Sequence, residues 1–319
     1  MRVTAGNGVE VHAAGGAILH LDPKKRTEGS VVTHGHTDHL TSDAHMTPPT
    51  LDFLRVRRPA RGGMALPYGK EIEVHGLRVK LHDAGHIFGS AMVEVQGPEG
   101  SLLYTGDFNP RAGFTSGKAD PRPCDTLVME STYGDPRFDL PPRELVLESL
   151  EAWMLGRLVK GPVALGAYPL GRAQELIALA NRAGLTPVVS PDIAALTSVY
   201  NAHGHDLSYA VAGTERARDM EHAALHIVPR EWLKRESDFA RGMRSRKGAM
   251  AFLSGWCHRY SYFNAYDIDA QFALSDHAAF RDLVAFAEAT GAKRVYTMHG
   301  AAATLAKELR ARGVNATPL

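Results

Sequence analysis

The stretch THGHTDHL, residues 33–40, packs three histidines and one aspartate into six positions. Either a metal ion holds these side chains, or the stretch is a polar loop with no special role. Imidazole and carboxylate groups together suit zinc or another first-row divalent ion. Four donors at this spacing predict two half-built metal sites rather than one, and these donors are His34, His36, Asp38 and His39.

Two half-built sites require more donors, and three other predicted strand ends each supply one beside a glycine. These donors are His86 in DAGHIFG, Asp107 in YTGDF and His299 in YTMHG. Loops at strand ends commonly gather into an active site. A carboxylate such as Asp107 can bridge two cations that lie roughly 3.5–4 Å apart. We therefore predict two divalent metal ions, with zinc favoured and manganese as the alternative, because nitrogen and oxygen donors accept both.

Composition narrows the class of protein. The 319 residues are 44% hydrophobic and 22% charged, which is typical of a soluble globular protein with a real core. The formal net charge of +1 gives no global basic field of the kind that attracts nucleic acid. The chain has only two cysteines, so a disulfide framework is not expected. With neither a signal-peptide pattern nor an apolar run of ~18 residues, we expect a cytoplasmic protein without a membrane segment.

The pattern of predicted elements changes near residue 141. Before this point, short alternating or apolar runs separated by glycine-containing turns predict strands. A helical pattern then starts directly after Pro141–Pro142, and strands alternate with helices as they do in a parallel α/β unit. Strand–helix pairs recur towards the end of the sequence, so the chain as a whole is predicted to be an α/β protein.

Six motifs, in order along the chain, resemble those of one family. THGHTDH, AGHIFGSAM and YTGDF look like the motifs of the metallo-β-lactamase fold. MESTYG at 129–134, LSDHAAF at 274–280 and MHG at 298–300 resemble the three additional motifs of the β-CASP nucleases. The resemblance covers nearly the whole chain, and it implies both a fold and a set of functional residues.

The implied fold is a metallo-β-lactamase αββα sandwich with an inserted α/β β-CASP cap domain. On this reading residues 1–140 are the first part of the sandwich, residues 141–250 are the cap domain, and residues 251–319 are the second part of the sandwich. The insertion would account for the change of pattern near residue 141.

The same resemblance implies a role for each candidate residue. One metal would be held by His34, His36 and His86, and the second by Asp38, His39 and His299, with Asp107 bridging the two. The implied catalytic residues are Asp38, Glu130 and His277. A protonated His277 would stabilise the transition state or protonate the leaving oxygen, and Glu130 would orient the imidazole ring.

This resemblance implies a metal-dependent nuclease that hydrolyses phosphodiester bonds in single-stranded RNA or DNA. RNA is slightly favoured, in an RNA 3′-end-processing role, because the RNA-acting branches of the family typically have a histidine at the position of His299. One alternative is a DNA exonuclease of DNA repair, of the type associated with a ligase and a helicase. A second alternative is a small-molecule hydrolase of the same fold. The sequence leaves open exonuclease or endonuclease action, polarity and oligomeric state.

Three further sequence features each have two possible interpretations. Arg172 opens a predicted helix, where it would either meet a phosphate or lie on the surface. The basic run RGMRSRKG at 241–248 would either grip a nucleic-acid backbone or be solvated. Asp276 is expected to cap the helix that begins in HAAFRDL, while His277 beside it is either catalytic or a neighbour of that cap.

Overall fold

A computed structural model describes residues 1–59, 61–220 and 225–319. The contacts in it divide the chain into two compact units. Unit 1 is formed by Met1–Asp139 together with His277–Leu319, and unit 2 is formed by Leu140–Asp276.

The elements are numbered here in chain order. The strands of the described residues are β1 (Arg2–Gly6), β2 (Gly8–His12), β3 (Ile18–Leu21), β4 (Ser30–Val31), β5 (Ala44–Met46), β6 (Met64–Ala65), β7 (Glu71–Val74), β8 (Leu77–Asp83), β9 (Ala91–Gly97), β10 (Gly100–Tyr104), β11 (Thr126–Glu130), β12 (Val163–Ala167), β13 (Val188–Val189), β14 (Ala210–Val211), β15 (Leu225–Pro229), β16 (Ala249–Leu253), β17 (Ala270–Phe272), β18 (Arg294–Met298) and β19 (Ala316–Pro318). The helices are α1 (Pro48–Arg57), α2 (Arg143–Leu158), α3 (Arg172–Arg182), α4 (Pro191–Ala202), α5 (Glu215–Arg218), α6 (Asp238–Ser245), α7 (Phe280–Thr290) and α8 (Ala302–Ala311). Short 3-10 turns follow β11, β15 and β16 at Pro136–Phe138, Arg230–Leu233 and Gly255–His258.

Unit 1 contains two mixed sheets. The first has six strands in the order β1-β2-β3-β4-β5-β6, and the second has seven in the order β19-β18-β11-β10-β9-β8-β7. In the second sheet, the hairpin between β7 and β8 turns at His75–Gly76, where both residues have positive φ. Strands from the end of the chain complete this sheet, because β18 pairs in parallel with β11.

The two sheets of unit 1 face each other across a shared core. Alternating side chains of β2, such as Val11, meet side chains of β8 and β9 such as Val79 and Val93 in one buried cluster. The opposite face of the second sheet packs against α7 and α8, where Leu103 joins Phe286 in a second cluster. Helix α1 joins β5 in a third cluster. Each fully buried large aliphatic or aromatic side chain contributes about 1.5–3 kcal/mol, so these clusters hold the layers together.

The strands of unit 1 deliver polar loops to a single edge. Strands β8, β10, β11 and β18 all run in the same direction in the second sheet, as their pairing registers show. Their carboxyl ends therefore lie at one edge of that sheet. The candidate residues His86, Asp107, Glu130 and His299 lie at or just after these ends.

Unit 2 is built on one parallel sheet. Its six strands have the order β14-β13-β15-β12-β16-β17, and every pair is parallel. The predicted helix after Pro141–Pro142 is confirmed as α2, which begins at Arg143 with Pro142 at its N-cap. Buried side chains of β12, β15, β16 and α6 form the core beside the sheet.

The second boundary of unit 2 differs from the predicted one at residue 250. Strand β16 pairs with β12, and β17 pairs with β16, so both strands belong to the sheet of unit 2. Unit 2 therefore extends to Asp276. Before the pairing is known, a buried strand after a charged loop looks the same whichever sheet it joins.

None of the helices in the described parts of the chain is both long enough and apolar enough to cross a membrane.

Candidate metal centre and catalytic site

Four of the predicted donors form a compact cluster at the strand ends of unit 1. Their ligand atoms all lie within 4.8 Å of one another, and the four residues are His34, His36, His86 and Asp107. His36 Nδ1 lies 3.1 Å from His34 Nε2 and 3.2 Å from His86 Nε2. Three imidazoles and one carboxylate at these separations have the ligand types of a zinc site.

Asp107 lies at the centre of the candidate site. Its Oδ2 is 3.6 Å from His34 Nε2 and 3.7 Å from His86 Nε2. The same oxygen is 3.8 Å from His39 Nε2, which belongs to the other predicted donor set. Burial and the nearby Glu130 carboxylate raise the pKa of Asp107, while His277 partly offsets them. The Asp107 carboxylate, which lies among these three histidine donors, is suited to binding positive charge.

The second predicted donor set is more open than the first. Asp38 Oδ2 lies 3.9 Å from His39 Nε2, and the Asp38 side chain is 80% exposed. The His299 ring lies at the edge of the His39 ring, with 6.0 Å between centroids. The structure therefore brings Asp38, His39 and His299 beside Asp107, but with wider spacing than in the four-donor cluster.

Asp22 is a buried residue of this site that the sequence analysis missed. Its carboxylate accepts hydrogen bonds from the Thr33 amide and hydroxyl, both at 2.7 Å, and from the Tyr104 hydroxyl at 2.9 Å. It also lies 3.0 Å from His39 Nδ1, which directs His39 Nε2 towards Asp107. Asp22 follows strand β3, so the strand-end signal was present in LHLDP. It was overlooked because no glycine stands beside it.

The pKa values of Asp22 and His39 reflect this pairing. Burial by itself lowers the pKa of His39, but the Asp22 carboxylate outweighs burial and raises it to about 10. Burial by itself raises the pKa of Asp22, but His39 and the hydrogen bonds from Thr33 lower it overall. In the absence of a metal the two residues therefore form a buried ion pair.

Glu130 and His277 form a second group on the other side of Asp107. His277 Nδ1 lies 2.9 Å from Glu130 Oε1 and 3.1 Å from Oε2. Glu130 is 1% exposed and also accepts from the Phe108 amide at 2.9 Å. Burial raises the pKa of Glu130, but its contact with His277 outweighs burial and lowers it. Asp107, Glu130 and His277 again have ligand atoms within 4.8 Å of one another.

The backbone of His299 is held in an unusual conformation. Its φ is +61°, in the left-handed region that non-glycine residues rarely adopt. The Ser131 hydroxyl lies 2.8 Å from the Met298 carbonyl oxygen and 2.7 Å from that of His299. The next residue, Gly300, also has positive φ, and a Cβ there would lie 2.5 Å from Thr132 Cα. The MESTYG and MHG motifs therefore meet through backbone contacts.

Glycine also allows a close approach at the His86 loop. Gly85 has a φ of +67°, and a Cβ there would lie 2.7 Å from Lys118 Cα. The Asn109 amide donates to the Ala84 carbonyl at 2.8 Å, so the loop after Asp107 packs directly on the His86 loop. Close packing of these two loops therefore explains the glycine beside His86.

The residues of the four-donor cluster fit a divalent cation. His34 is fully buried, and burial together with the neighbouring His39, His36 and His86 holds its pKa well below the usual range. A neutral imidazole keeps a lone pair for a metal, so the donor state matches what a cation requires. The neighbouring Asp107 supplies negative charge at the same place.

The predicted helix cap at Asp276 is wrong, and one of the two readings of Arg172 is excluded; both residues belong to one ion pair. Helix α7 begins at Phe280 with Ala279 at its N-cap and no side-chain cap, so Asp276 does not cap it. Asp276 instead accepts from Arg172 at 3.0 Å. Arg172 is 3% exposed, so it is not a surface arginine.

Three arginines of the basic run at 241–248 form ion pairs or hydrogen bonds within unit 2. Arg244 pairs with Asp267 and Asp269, each at 2.8 Å. Arg241 bonds to Asp238, at the start of the same helix, and to the Glu236 carbonyl. Arg246 donates to the Gly242 carbonyl. These contacts give Arg241, Arg244 and Arg246 partners within unit 2, as the solvated reading of the run allows.

No family model matches the chain. Over 300 residues, or 92% of its length, the chain is 34% identical to a probable DNA ligase of Opitutus terrae, of which it covers 28%. Over 196 residues, or 48% of its length, it is 30% identical to the RNase aCSPSF2 of Saccharolobus solfataricus, of which it covers 38%. A solved structure of a protein of unknown function from Enterococcus faecalis shares the fold, with a TM-score of 0.64, 14% identity, and coverage of 91% of this chain and 78% of that one.

Together with further relatives, these similarities show that homologues of the chain are nucleases of the metallo-β-lactamase-fold β-CASP family. The family that the six motifs predict is therefore confirmed. The chain spans between 28% and 38% of the length of the two curated relatives described above.

Proposed function

We propose that the chain is a metal-dependent nuclease that hydrolyses phosphodiester bonds in nucleic acid. One observation carries the proposal: the partly buried carboxylate of Asp107 is shared between the four-donor cluster and the Glu130–His277 pair. A site for cations and a candidate acid–base group thus lie side by side. A small-molecule hydrolase of the same fold has no evident need for the second group.

The proposed ligands follow the motif assignment. His34, His36 and His86 would hold one divalent ion, Asp38, His39 and His299 would hold the other, and Asp107 would be a ligand shared by both. When bound, such ions act as Lewis acids towards phosphate oxygens and lower the pKa of water, so that hydroxide is available near neutral pH. Zinc is favoured by the three imidazoles of the first set, with manganese as the alternative.

His277 is the proposed general acid. Its Nδ1 faces Glu130, which fixes the orientation of the ring. Nε2 is then the nitrogen that donates a proton to the leaving oxygen or a hydrogen bond to the phosphate. Glu130 is a positioning residue in this scheme, and Asp38, on the exposed side, faces the incoming substrate.

We place DNA before RNA as the substrate. The relative that aligns with 92% of the chain is named a DNA ligase, whereas the RNase relative aligns with 48%. A ligase seals breaks in DNA, and a nuclease joined to one in a single protein would trim ends before sealing. This order reverses the slight preference for RNA that His299 alone gives. We further propose that unit 2 is the β-CASP cap domain.

The test uses matched 5′-labelled single-stranded DNA and RNA of one sequence, with zinc or manganese, and a His277→Ala variant as the control. We expect DNA cleavage that the variant loses by about 10²–10⁴-fold, the usual contribution of a general acid. Preferential RNA cleavage would restore the RNA-processing assignment. Metal binding with cleavage of neither strand would overturn the nuclease proposal and favour the small-molecule hydrolase.

A further inference from the structure

The carboxyl edge of the unit 2 sheet carries an unusual group of exposed aromatic side chains. Four tyrosine or phenylalanine side chains are largely exposed in the described parts of the chain, and three of them lie at this edge. They are Tyr168 after β12, and Tyr260 and Phe263 after β16, at 39%, 51% and 41% exposure. Scattered apolar side chains on a surface need no explanation, but a group at one sheet edge does.

The aromatic side chains lie among arginines. The Arg230 guanidinium lies over the Tyr168 ring, 4.6 Å from its centroid, and donates to the Tyr168 hydroxyl at 2.7 Å. Strands β12 and β16 are parallel neighbours, so Tyr168 and the 256–266 loop follow two adjacent strands at the same edge of the sheet. Arg259 in this loop is exposed and has no ion pair among the described residues.

This loop is held firmly although it has no regular structure beyond one short turn. The Gln271 side chain accepts from the Tyr262 amide at 2.8 Å and donates to the carbonyls of Cys257 and Tyr260 at 3.1 and 2.8 Å. Arg235 adds a bond to the Phe263 carbonyl at 3.0 Å. The exposed rings are therefore presented by a preorganised backbone, which reduces the entropy lost on binding.

We propose that Tyr168, Tyr260 and Phe263, here called the aromatic platform, bind the unstacked bases of a single-stranded nucleic acid. Ligands of parallel α/β sheets bind at the carboxyl ends of the strands, where this platform lies. Base faces stack on aromatic rings whatever the sequence, and nearby arginines attract the phosphates. The bases of a duplex are stacked on one another, so the platform selects single strands.

The proposal rests on the proposed nuclease function only in assuming that the bound strand is then cleaved. Binding of the strand to the platform can be measured separately from cleavage. A dT oligonucleotide carrying 2-aminopurine is titrated into the full chain in the His277→Ala background, so that cleavage does not interfere. Tyr260→Leu and Phe263→Leu keep apolar bulk but remove the ring, whereas Tyr260→Phe keeps the ring. Val159→Ala, an exposed apolar change on the surface of unit 2, is the control.

We expect each leucine variant to weaken binding by between about 5- and 100-fold and to reduce the quenching of 2-aminopurine by stacking. Tyr260→Phe and Val159→Ala should bind as the parent protein does. Arg259→Ala should instead lower the dependence of log affinity on log salt by about 0.7. Unfolding midpoints of the variants should not change, because the substituted side chains are exposed.

Two results separate this proposal from the nuclease proposal. If wild-type protein cleaves the strand while the leucine variants bind it unchanged, the platform proposal is overturned and the nuclease proposal stands. If wild-type protein binds the strand through the platform without cleaving it, the platform proposal stands and the nuclease proposal is overturned. Absence of any binding to single strands would also overturn the platform proposal, and the surface would then be a candidate for a protein partner.

Discussion

At the residue scale, the candidate site depends on the carboxylate of Asp22, which is not a predicted donor and contacts the predicted donor His39. Asp22 joins the Thr33 backbone, the Tyr104 hydroxyl and the His39 ring, and all of these are buried. It therefore holds the start of the THGHTDH loop against the strand that leads to Asp107. The donors themselves were predictable because four of them are adjacent in sequence. Asp22 was not, because its role exists only once β3, β4 and β10 come together.

We expect Asp22→Ala to destabilise the metal-free protein by about 3–5 kcal/mol, because the change removes the ion pair with His39 and leaves three buried donors of Thr33 and Tyr104 without their acceptor. It should also weaken metal binding about 10- to 100-fold, as removal of a residue that orients a ligand typically does. Urea unfolding and metal content by mass spectrometry measure the two effects. Asp120→Ala, at an exposed pair with Lys118, is the matched control and should change little. Equal stability of the two variants would contradict this account of Asp22.

At the element scale, the Ser131 hydroxyl links two strand ends. Ser131, after β11, bonds to the carbonyls of Met298 and His299 after β18. The positive φ of His299 costs of order 1–3 kcal/mol, and it persists because the surrounding contacts fix it. The sequence shows the motifs ESTYG and MHG, but only the parallel pairing of β11 with β18 reveals that one positions the other.

We expect Ser131→Ala to lower the free energy of unfolding by about 0.5–1.5 kcal/mol, because two partly buried carbonyls lose the hydroxyl that bonds to them. The turn at His299 should relax, so bound metal should fall from two equivalents towards one while the first set of donors stays filled. Equilibrium dialysis with metal analysis measures this loss independently of activity. Ser149→Ala, which removes a hydroxyl bond to the Leu145 carbonyl on an exposed helix, is the control. Two full equivalents of metal in Ser131→Ala would show that the hydroxyl does not position His299.

At the scale of the whole molecule, the sequence predicts an α/β fold and donors at strand ends, but not where unit 2 ends. Donor clusters and turn glycines are local signals, and they were read correctly as features of strand ends. The end of unit 2 depends on which sheet β16 and β17 join, and that is a long-range choice. The pairing of Arg172 with Asp276 was missed for the same reason, since 104 positions separate them.

The stability of unit 2 should depend on one buried histidine. His226 in β15 is 5% exposed, packs against Phe239, and its Nε2 has no hydrogen-bond partner among the described residues. Burial and the nearby Arg246 lower its pKa to about 4, against an ordinary value of 6.5. Above pH 6.5 the His226 ring is neutral in both the folded and the unfolded chain, so its titration does not change the free energy of unfolding. As the pH falls from 6.5 through 4, the unfolded chain takes up a proton that the folded unit refuses, so stability is lost.

We expect this residue to account for about 2–3 kcal/mol of the stability lost between pH 7 and pH 4.5, because each pKa unit corresponds to about 1.4 kcal/mol. His226→Phe should therefore lose less stability over this interval than the wild type. Urea unfolding of both proteins at the two pH values isolates the effect, because the carboxylates that also titrate are common to both. Equal losses in the two proteins would show that His226 is not the source.

The pairing of β11 with β18 also has a consequence for biosynthesis. Strand β11 ends at residue 130, but its neighbour β18 leaves the ribosome more than 160 residues later. Until then a fully buried strand of the finished protein has an open edge, which is a template for pairing with other nascent chains. The contiguous residues 140–276 can fold first during translation, whereas unit 1 must wait for the last tenth of the polypeptide. A stalled or truncated message would thus yield a chain whose larger unit remains incomplete and prone to aggregation.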